Sequence, residues 1–264
     1  MSLQHFYLHD QVLADEGAPT FPLRLSPDDA KHARVLQLAP GEHIAVVDAA
    51  QDYFECEIAA FDDAVPVVRI AQRLDDEERP LVMLVQGLAK GDKMETVIRH
   101  ATELGVAAFV PLACERSVVR LDAKKAAAKA DRWRAIAKSA AMQSGQPAVH
   151  DVREPAGLRE ACALLADADA LLVCWEEAPG ASRLDVALDR ALGGGRAAQG
   201  ARVAVVVGPE GGLAEREVEA LLACNPRSSL VSLGPSILRT ETAGIVAPAL
   251  ALYELERRAR AGAL

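Results

Sequence analysis

From Leu81 onward the chain repeats one pattern: a short apolar run, a turn, then a stretch of helical periodicity. The apolar runs are Leu81–Val85, Ala107–Leu112, Ala170–Trp175, Val203–Val207 and Leu230–Leu233. Helical patterns cover Lys93–Leu104, Lys124–Gln143, Leu158–Leu165, Leu184–Leu192, Ala214–Ala223 and Thr240–Arg260. A strand that is apolar at every position is covered on both faces, and the intervening helices supply that cover. The alternation therefore predicts an α/β domain with a largely parallel sheet. The Ala-rich segment 123–141 carries Trp133 and Ile136 on a helical period and reads as a helix with a solvated basic face.

Before Leu81 the pattern is different. Short apolar runs at Phe6–Leu8, Pro22–Leu25, His43–Val47, Tyr53–Ile58 and Pro66–Ile70 are separated by turn signals such as Pro40-Gly41 and Asp62-Asp63. Tyr53–Ile58 alternates apolar and acidic residues, as a half-buried strand does. Only Asp28–Leu38 reads as a helix. Several short strands at this spacing predict a small β-barrel. The charged segment Leu74–Pro80 reads as a linker, which predicts a β domain over residues 1–75 and an α/β domain over residues 76–264.

A chain of 264 residues, 51% hydrophobic and 25% charged, can bury its own cores without disulfides or a structural metal. It contains nothing approaching the roughly 18 uncharged apolar residues of a membrane helix. Its N-terminus has no basic segment followed by an apolar run, so no secretory signal is read there. The five cysteines, Cys56, Cys114, Cys162, Cys174 and Cys224, are far apart and include no CxxC. They read as reduced thiols of a cytoplasmic protein. Six His and five Cys form no ligand-spaced cluster, so no metal is expected. Charge is unevenly spread. Residues 1–78 hold 5 basic and 16 acidic side chains, residues 79–264 hold 24 and 22, and residues 85–145 hold 11 and 6. If the protein grips a polyanion, that last region is the expected handle.

Five segments carry candidate chemistry. In the first, the run Val203–Val207 ends in Gly208-Pro209-Glu210-Gly211-Gly212-Leu213 and then a helix. Ligands of open α/β sheets bind at the carboxyl ends of strands, and glycines let them approach the backbone. An ordinary tight turn would explain the same residues. The turn is not GxGxxG and lacks a P-loop Lys, and the acidic helix start disfavours phosphate. In the second, Ser232-Leu233-Gly234-Pro235-Ser236-Ile237-Leu238 leads to Arg239, Thr240 and Glu241 at the start of the last helix, where Thr240 and Thr242 are N-cap candidates. In the third, Lys90 and Lys93 of Lys90-Gly91-Asp92-Lys93-Met94-Glu95 are phosphate-contact candidates or plain solvated lysines. In the fourth, Cys114–Arg120 holds Arg116 and Arg120, read either as RNA contacts or as partners of Glu115 or Glu103. In the fifth, His32 and Arg34 of His32-Ala33-Arg34-Val35-Leu36 either touch RNA or belong to a plain helix.

In this order the segments resemble the bacterial 16S rRNA (uridine-N3) methyltransferase family of the SPOUT superfamily. The resemblance rests on His32–Leu36, Lys90–Glu95 with Thr102–Val106, Glu115–Ser117, Met142–Gly145, Gly208–Leu213 and Leu233–Ala243, and it spans nearly the whole chain. It implies a PUA-like, RNA-binding β-barrel ahead of a SPOUT domain with a C-terminal trefoil knot, which no periodicity could reveal. It implies a homodimer built on the terminal helix. The implied cofactor is S-adenosyl-L-methionine, held among Cys174-Trp175, Gly208, Pro209, Glu210, Gly211 and Gly212, and Leu233, Gly234, Ile237 and Leu238. Arg239, Thr240 and Glu241 would then lie at the reacting atoms. Arg239 would stabilise a uracil anion, and Glu241 would accept its proton or hold Arg239. The implied partner is 16S rRNA of the small ribosomal subunit, bound through His32, Arg34, Lys90, Lys93 and Arg116.

The chain departs from the family pattern at Ser236 and Gln37, where arginine is common. It also departs at Met142, where Glu is common, and at Gln146-Pro147, which replaces an Arg-rich segment. The competing expectations are ribose 2′-O methylation on the same fold and a non-catalytic RNA-binding or ribosome-assembly protein.

Overall fold

The computed structural model describes residues 3–63, 65–74, 79–148, 150–177, 180–193 and 200–262. The chain divides into two compact units: residues 1–77 with 141–149, and residues 78–140 with 150–264. Most of the segment read as a linker lies outside the described residues.

The first unit holds a five-stranded sheet in the order β1-β3-β4-β5-β2. Its strands are β1 (Gln4–Tyr7), β2 (Phe21–Pro22), β3 (His43–Val47), β4 (Tyr53–Asp62) and β5 (Val65–Arg73). β1 lies parallel to β3, and the remaining pairs are antiparallel. The expected alternation is present in β4: Phe54, Cys56 and Ile58 are buried with Phe6, Ile44, Val46 and Val68. Glu55 and Glu57 face outward, where they meet His43 and Arg69. β4 runs four residues beyond the expected Ile58, because β5 pairs with it as far as Asp62↔Val65. β2 is shorter than expected, since the chain turns at Leu23–Leu25 with Leu25 N–H donating to the Leu23 carbonyl. The helix α1 (Pro27–Val35) starts at Ser26, whose hydroxyl accepts from Asp29 N–H, with Pro27 at the first helical position.

The second unit is built on a seven-stranded sheet in the order β10-β12-β9-β11-β6-β7-β8, parallel throughout. Its strands are β6 (Leu81–Gly87), β7 (Ala108–Leu112), β8 (Asp151–Val152), β9 (Ala170–Cys174), β10 (Ser182–Arg183), β11 (Arg202–Val207) and β12 (Ser228–Ser232). The two-residue edge strands β8 and β10 are too short to leave a pattern in sequence. The helices are α2 (Lys93–Glu103), α3 (Ala123–Ser144, of which residues 141–144 count with the first unit), α4 (Leu158–Leu165), α5 (Leu184–Leu192), α6 (Glu215–Cys224) and α7 (Thr240–Gly262).

Successive residues of the central strands feed opposite faces. Val82, Leu84, Leu172, Val203 and Val205 pack with residues of α2, α3, α5 and α7. Val85, Leu171, Val173, Ala204 and Val206 pack with α4 and α6. This two-sided burial is why these strands read as continuous apolar runs. The expected stop of α2 at Leu104-Gly105 is a left-handed C-cap: Gly105 has φ +95° and Val106 N–H donates to the Ala101 carbonyl. Among the described residues no helix is long and apolar enough to cross a membrane.

Candidate active site

The carboxyl ends of β9, β11 and β12 open into one cavity of about 490 Å³. Three segments form its walls: Cys174–Glu176 after β9, the Gly208–Gly212 turn after β11, and Leu233–Thr240 between β12 and α7. Of the residues expected to hold a cofactor, Cys174, Trp175, Gly208, Pro209, Glu210, Gly212, Leu233, Gly234, Ile237 and Leu238 all line it. Gly211 lies outside the lining and packs instead on Arg116, whose carbonyl oxygen a Cβ at Gly211 would meet at 3.0 Å.

The turn after β11 is made by close backbone approach. A Cβ on Gly208 would stand 3.0 Å from the Gly212 carbonyl carbon, and Gly212 has φ +70°. A Cβ on Gly87, at the end of β6, would stand 2.8 Å from the Gly208 carbonyl carbon. Gly234 has φ +122° and open space around it. The floor is tied by a buried polar chain: Gln86 Nε2 donates to Thr240 Oγ1 at 2.9 Å, and that hydroxyl donates to the Gly208 carbonyl at 2.6 Å. Thr240 is thus a tie between two walls, which corrects its reading as a helix cap. Ala243 N–H reaches back to the Arg239 carbonyl at 2.8 Å, so the helix is started by backbone. Sequence reading missed Gln86. Its signal was a polar residue ending an otherwise apolar strand, just before a glycine.

The rim is ionic. Lys93 Nζ lies 3.0 Å from Glu241 Oε2 and 3.2 Å from Glu210 Oε1, each side chain about one-fifth exposed. Lys90 enters through its backbone, N–H to Glu210 Oε1 at 3.1 Å, while its side chain stays exposed. The Glu241 carboxyl is held below its usual range by its own backbone N–H and by the Lys93 ammonium. Burial pushes the Glu210 carboxyl up, but its own N–H, the Lys90 N–H and Lys93 prevail and hold it low. The Lys93 ammonium is raised by Glu241 against desolvation, with help from Glu210. Arg239 lines the cavity, is exposed, and forms no ion pair among the described residues. Glu241 pairs directly with Lys93 and feels the Arg239 charge only as a weaker attraction at longer range. A carboxylate held below its usual range is a weaker proton acceptor, which counts against Glu241 as a base.

Arg116 pairs with Glu177 at 3.4 Å rather than with Glu115 or Glu103. Arg120 donates to the carbonyls of Cys114 and Glu115, and Glu115 pairs with Arg216. Glu217, counted in sequence with an acidic helix start, is buried. It accepts N–H groups from Ala214 and Glu115 and so joins α6 to the loop after β7. His32 and Arg34 are exposed on α1 of the other unit. Among the described residues no group of three His, Cys, Asp or Glu is placed to hold a metal.

Residues 77–252 match the family described as an RNA methyltransferase domain. The ribosomal RNA small subunit methyltransferase E of Bacillus subtilis is 35% identical over 261 residues, 96% of this chain and 98% of that protein. This chain belongs to the ribosomal RNA small subunit methyltransferase E family. The family member of Mycobacterium bovis is 32% identical over 248 residues, 92% of this chain and 88% of its own length. A crystal structure of the Neisseria gonorrhoeae family member, bound to S-adenosyl methionine, superposes with a TM-score of 0.73 at 28% identity, covering 94% of this chain and 96% of that one.

Proposed function

We propose that this protein transfers a methyl group from S-adenosyl-L-methionine to N3 of a uridine in 16S rRNA of the small ribosomal subunit. The observation that carries this reading is the cavity at the carboxyl ends of β9, β11 and β12, lined at its mouth by an arginine that forms no ion pair among the described residues. The residues fit such a cofactor. Leu233, Ile237 and Leu238 supply apolar walls, and Gly234, with open space where a side chain would stand, lets a ligand approach main-chain groups. Trp175 Nε1 is a buried donor with no hydrogen-bond partner among the described residues.

When bound, the cofactor supplies an electrophilic methyl group. The protein must then orient an unpaired uracil and stabilise the charge left as its N3 proton departs. Arg239 would do so: it lines the cavity, forms no ion pair among the described residues, and would offer donors to the developing anion. Thr240 holds the Gly208 turn against the start of α7. In this reading His32, Arg34, Lys90 and Arg116 supply phosphate contacts, whose contribution falls with salt.

Residues 1–75 would act as a PUA-like RNA-binding barrel and residues 76–264 as a SPOUT domain with a C-terminal knot. Two copies would associate through α7, which exposes Leu250 and Tyr253. The protein would work in the cytoplasm, where its substrate is made.

The test is methyl transfer from labelled S-adenosylmethionine to small ribosomal subunits lacking the modification, followed by nucleoside analysis. The expected product is 3-methyluridine. A 2′-O-methylated nucleoside would move the reaction to the ribose. Cofactor binding without transfer to any RNA would leave a binding protein.

A further inference from the structure

We infer that Lys93 is a positioning residue that clamps two walls of the cavity together, its ammonium shared between Glu210 of the β11 turn and Glu241 at the start of α7. The inference builds on the methyl-transfer reading above. Three separate segments meet at this one cation: α2 brings Lys93, the turn brings Glu210, and α7 brings Glu241, with Nζ 3.2 Å and 3.0 Å from the two carboxylates. Glu210 is fixed from a second direction by Lys90 N–H at 3.1 Å. The same two walls are joined at the floor by the Thr240 hydroxyl on the Gly208 carbonyl. The walls thus have a neutral tie below and an ionic tie above.

Two consequences follow from charge alone. Without Lys93, two carboxylates of like sign would share the rim and push the walls apart. Glu241 would also be left with the attraction it already has to Arg239, now without Lys93 to compete for it. Pairing with Arg239 would draw the guanidinium off the cavity. Lys93 therefore keeps the walls closed and Arg239 available. A lysine engaged by two carboxylates is also poorly placed to neutralise an RNA phosphate, because it would have to give up both partners first.

The experiment compares Lys93→Met and Lys93→Arg with the unsubstituted protein. S-adenosylmethionine affinity is measured by calorimetry, and affinity for a small-subunit rRNA transcript is measured across a salt series. Lys93→Met should weaken cofactor binding about tenfold. It should leave RNA affinity and its salt slope unchanged, and Lys93→Arg should restore most of the loss. The opposite split would overturn the clamp and make Lys93 a phosphate contact: intact cofactor affinity with a salt slope shallower by about one. No change in either would overturn it as well.

A general loss of fold is separated by a cycle with Glu241→Gln. If Lys93 acts through Glu241, its removal costs much less once Glu241 is neutral, whereas independent losses that simply multiply would refute the clamp. Should the unsubstituted protein bind no S-adenosylmethionine, the methyl-transfer reading fails. The clamp is then judged by the same cycle read in Tm, where coupling is expected and additivity overturns it.

Discussion

The two sheets of this protein differ in how many of their faces meet solvent. The five-stranded sheet buries alternate residues of β4 and lines the other side of that strand with ion pairs such as Arg69–Glu57, which neutralise a densely acidic stretch. The seven-stranded sheet is buried on both faces, so its solvated features are confined to strand ends and edges. A strand in the first sheet can carry a charge at every second position. One in the second can place polar chemistry only where it stops. Gln86, Cys174 and the turn beginning at Gly208 all stand at or just past a strand's carboxyl end. Two-sided burial thus concentrates function at strand ends.

That contrast can be broken most sharply at Arg239. Arg239→Ala should lower kcat about 10²–10³-fold, the scale of losing one donor to a developing oxyanion. It should leave Tm unchanged, because the side chain is exposed and unpaired among the described residues; a large fall in Tm would show that Arg239 is structural. Next in size is Gly87→Ala, which places a methyl group against Pro209 and the Gly208 carbonyl carbon. Chemical denaturation should show a loss of about 1–3 kcal/mol, with weaker cofactor binding because the turn is displaced. Thr240→Val removes the floor tie and leaves the Gly208 carbonyl and Gln86 amide with only longer contacts, Gln86 Nε2 to the Gly208 carbonyl at 3.5 Å and to the Gly87 carbonyl at 3.4 Å. A cost of about 1–3 kcal/mol is expected, and Thr240→Ser should recover much of it.

A smaller effect follows from one buried imidazole in each unit. Burial lowers the pKa of His150 and of His5, against an opposing hydrogen bond to the Val106 and Leu3 carbonyls respectively. A histidine whose folded pKa lies below its unfolded 6.5 takes up its proton more readily when unfolded. The stability it contributes is complete above 6.5 and is lost as pH falls from there toward the folded value. Tm should therefore drop on acidification through pH 6.5, and His150→Gln should flatten that drop. Smallest of all, Arg69→Ala on the exposed face of the first sheet should change stability by no more than about 1 kcal/mol. A larger loss would mean that this ion pair holds the register of β4 and β5.

Much of this architecture was legible in the chain. Leu158–Leu165 and Leu184–Leu192 are helices over the expected residues, and the five apolar runs are strands to within about two residues at either end. Ten of the eleven residues expected to hold a cofactor line one cavity. The misses share a cause. β8 and β10 exist only because longer neighbours offer edges to pair with. Gln86 and Thr240 are joined across 154 positions of sequence. Lys93 read as a phosphate contact or a solvated lysine, with no sign of its two carboxylates, because they arrive from segments more than 110 residues downstream.

The sequence by itself determined where strands and helices form, which strands are covered on both sides, and which glycine turns are open enough for a ligand. Those properties follow from periodicity and backbone freedom, which act over a few neighbouring residues. Tertiary structure alone decided the pairing of charges and hydroxyls at the cavity. It committed Lys93 to two carboxylates, made Thr240 a tie instead of a cap, and left Arg239 uncommitted. An ion pair or hydrogen bond depends on which groups come within about 3–4 Å of one another, and in a parallel sheet the strand order brings together segments far apart in the chain.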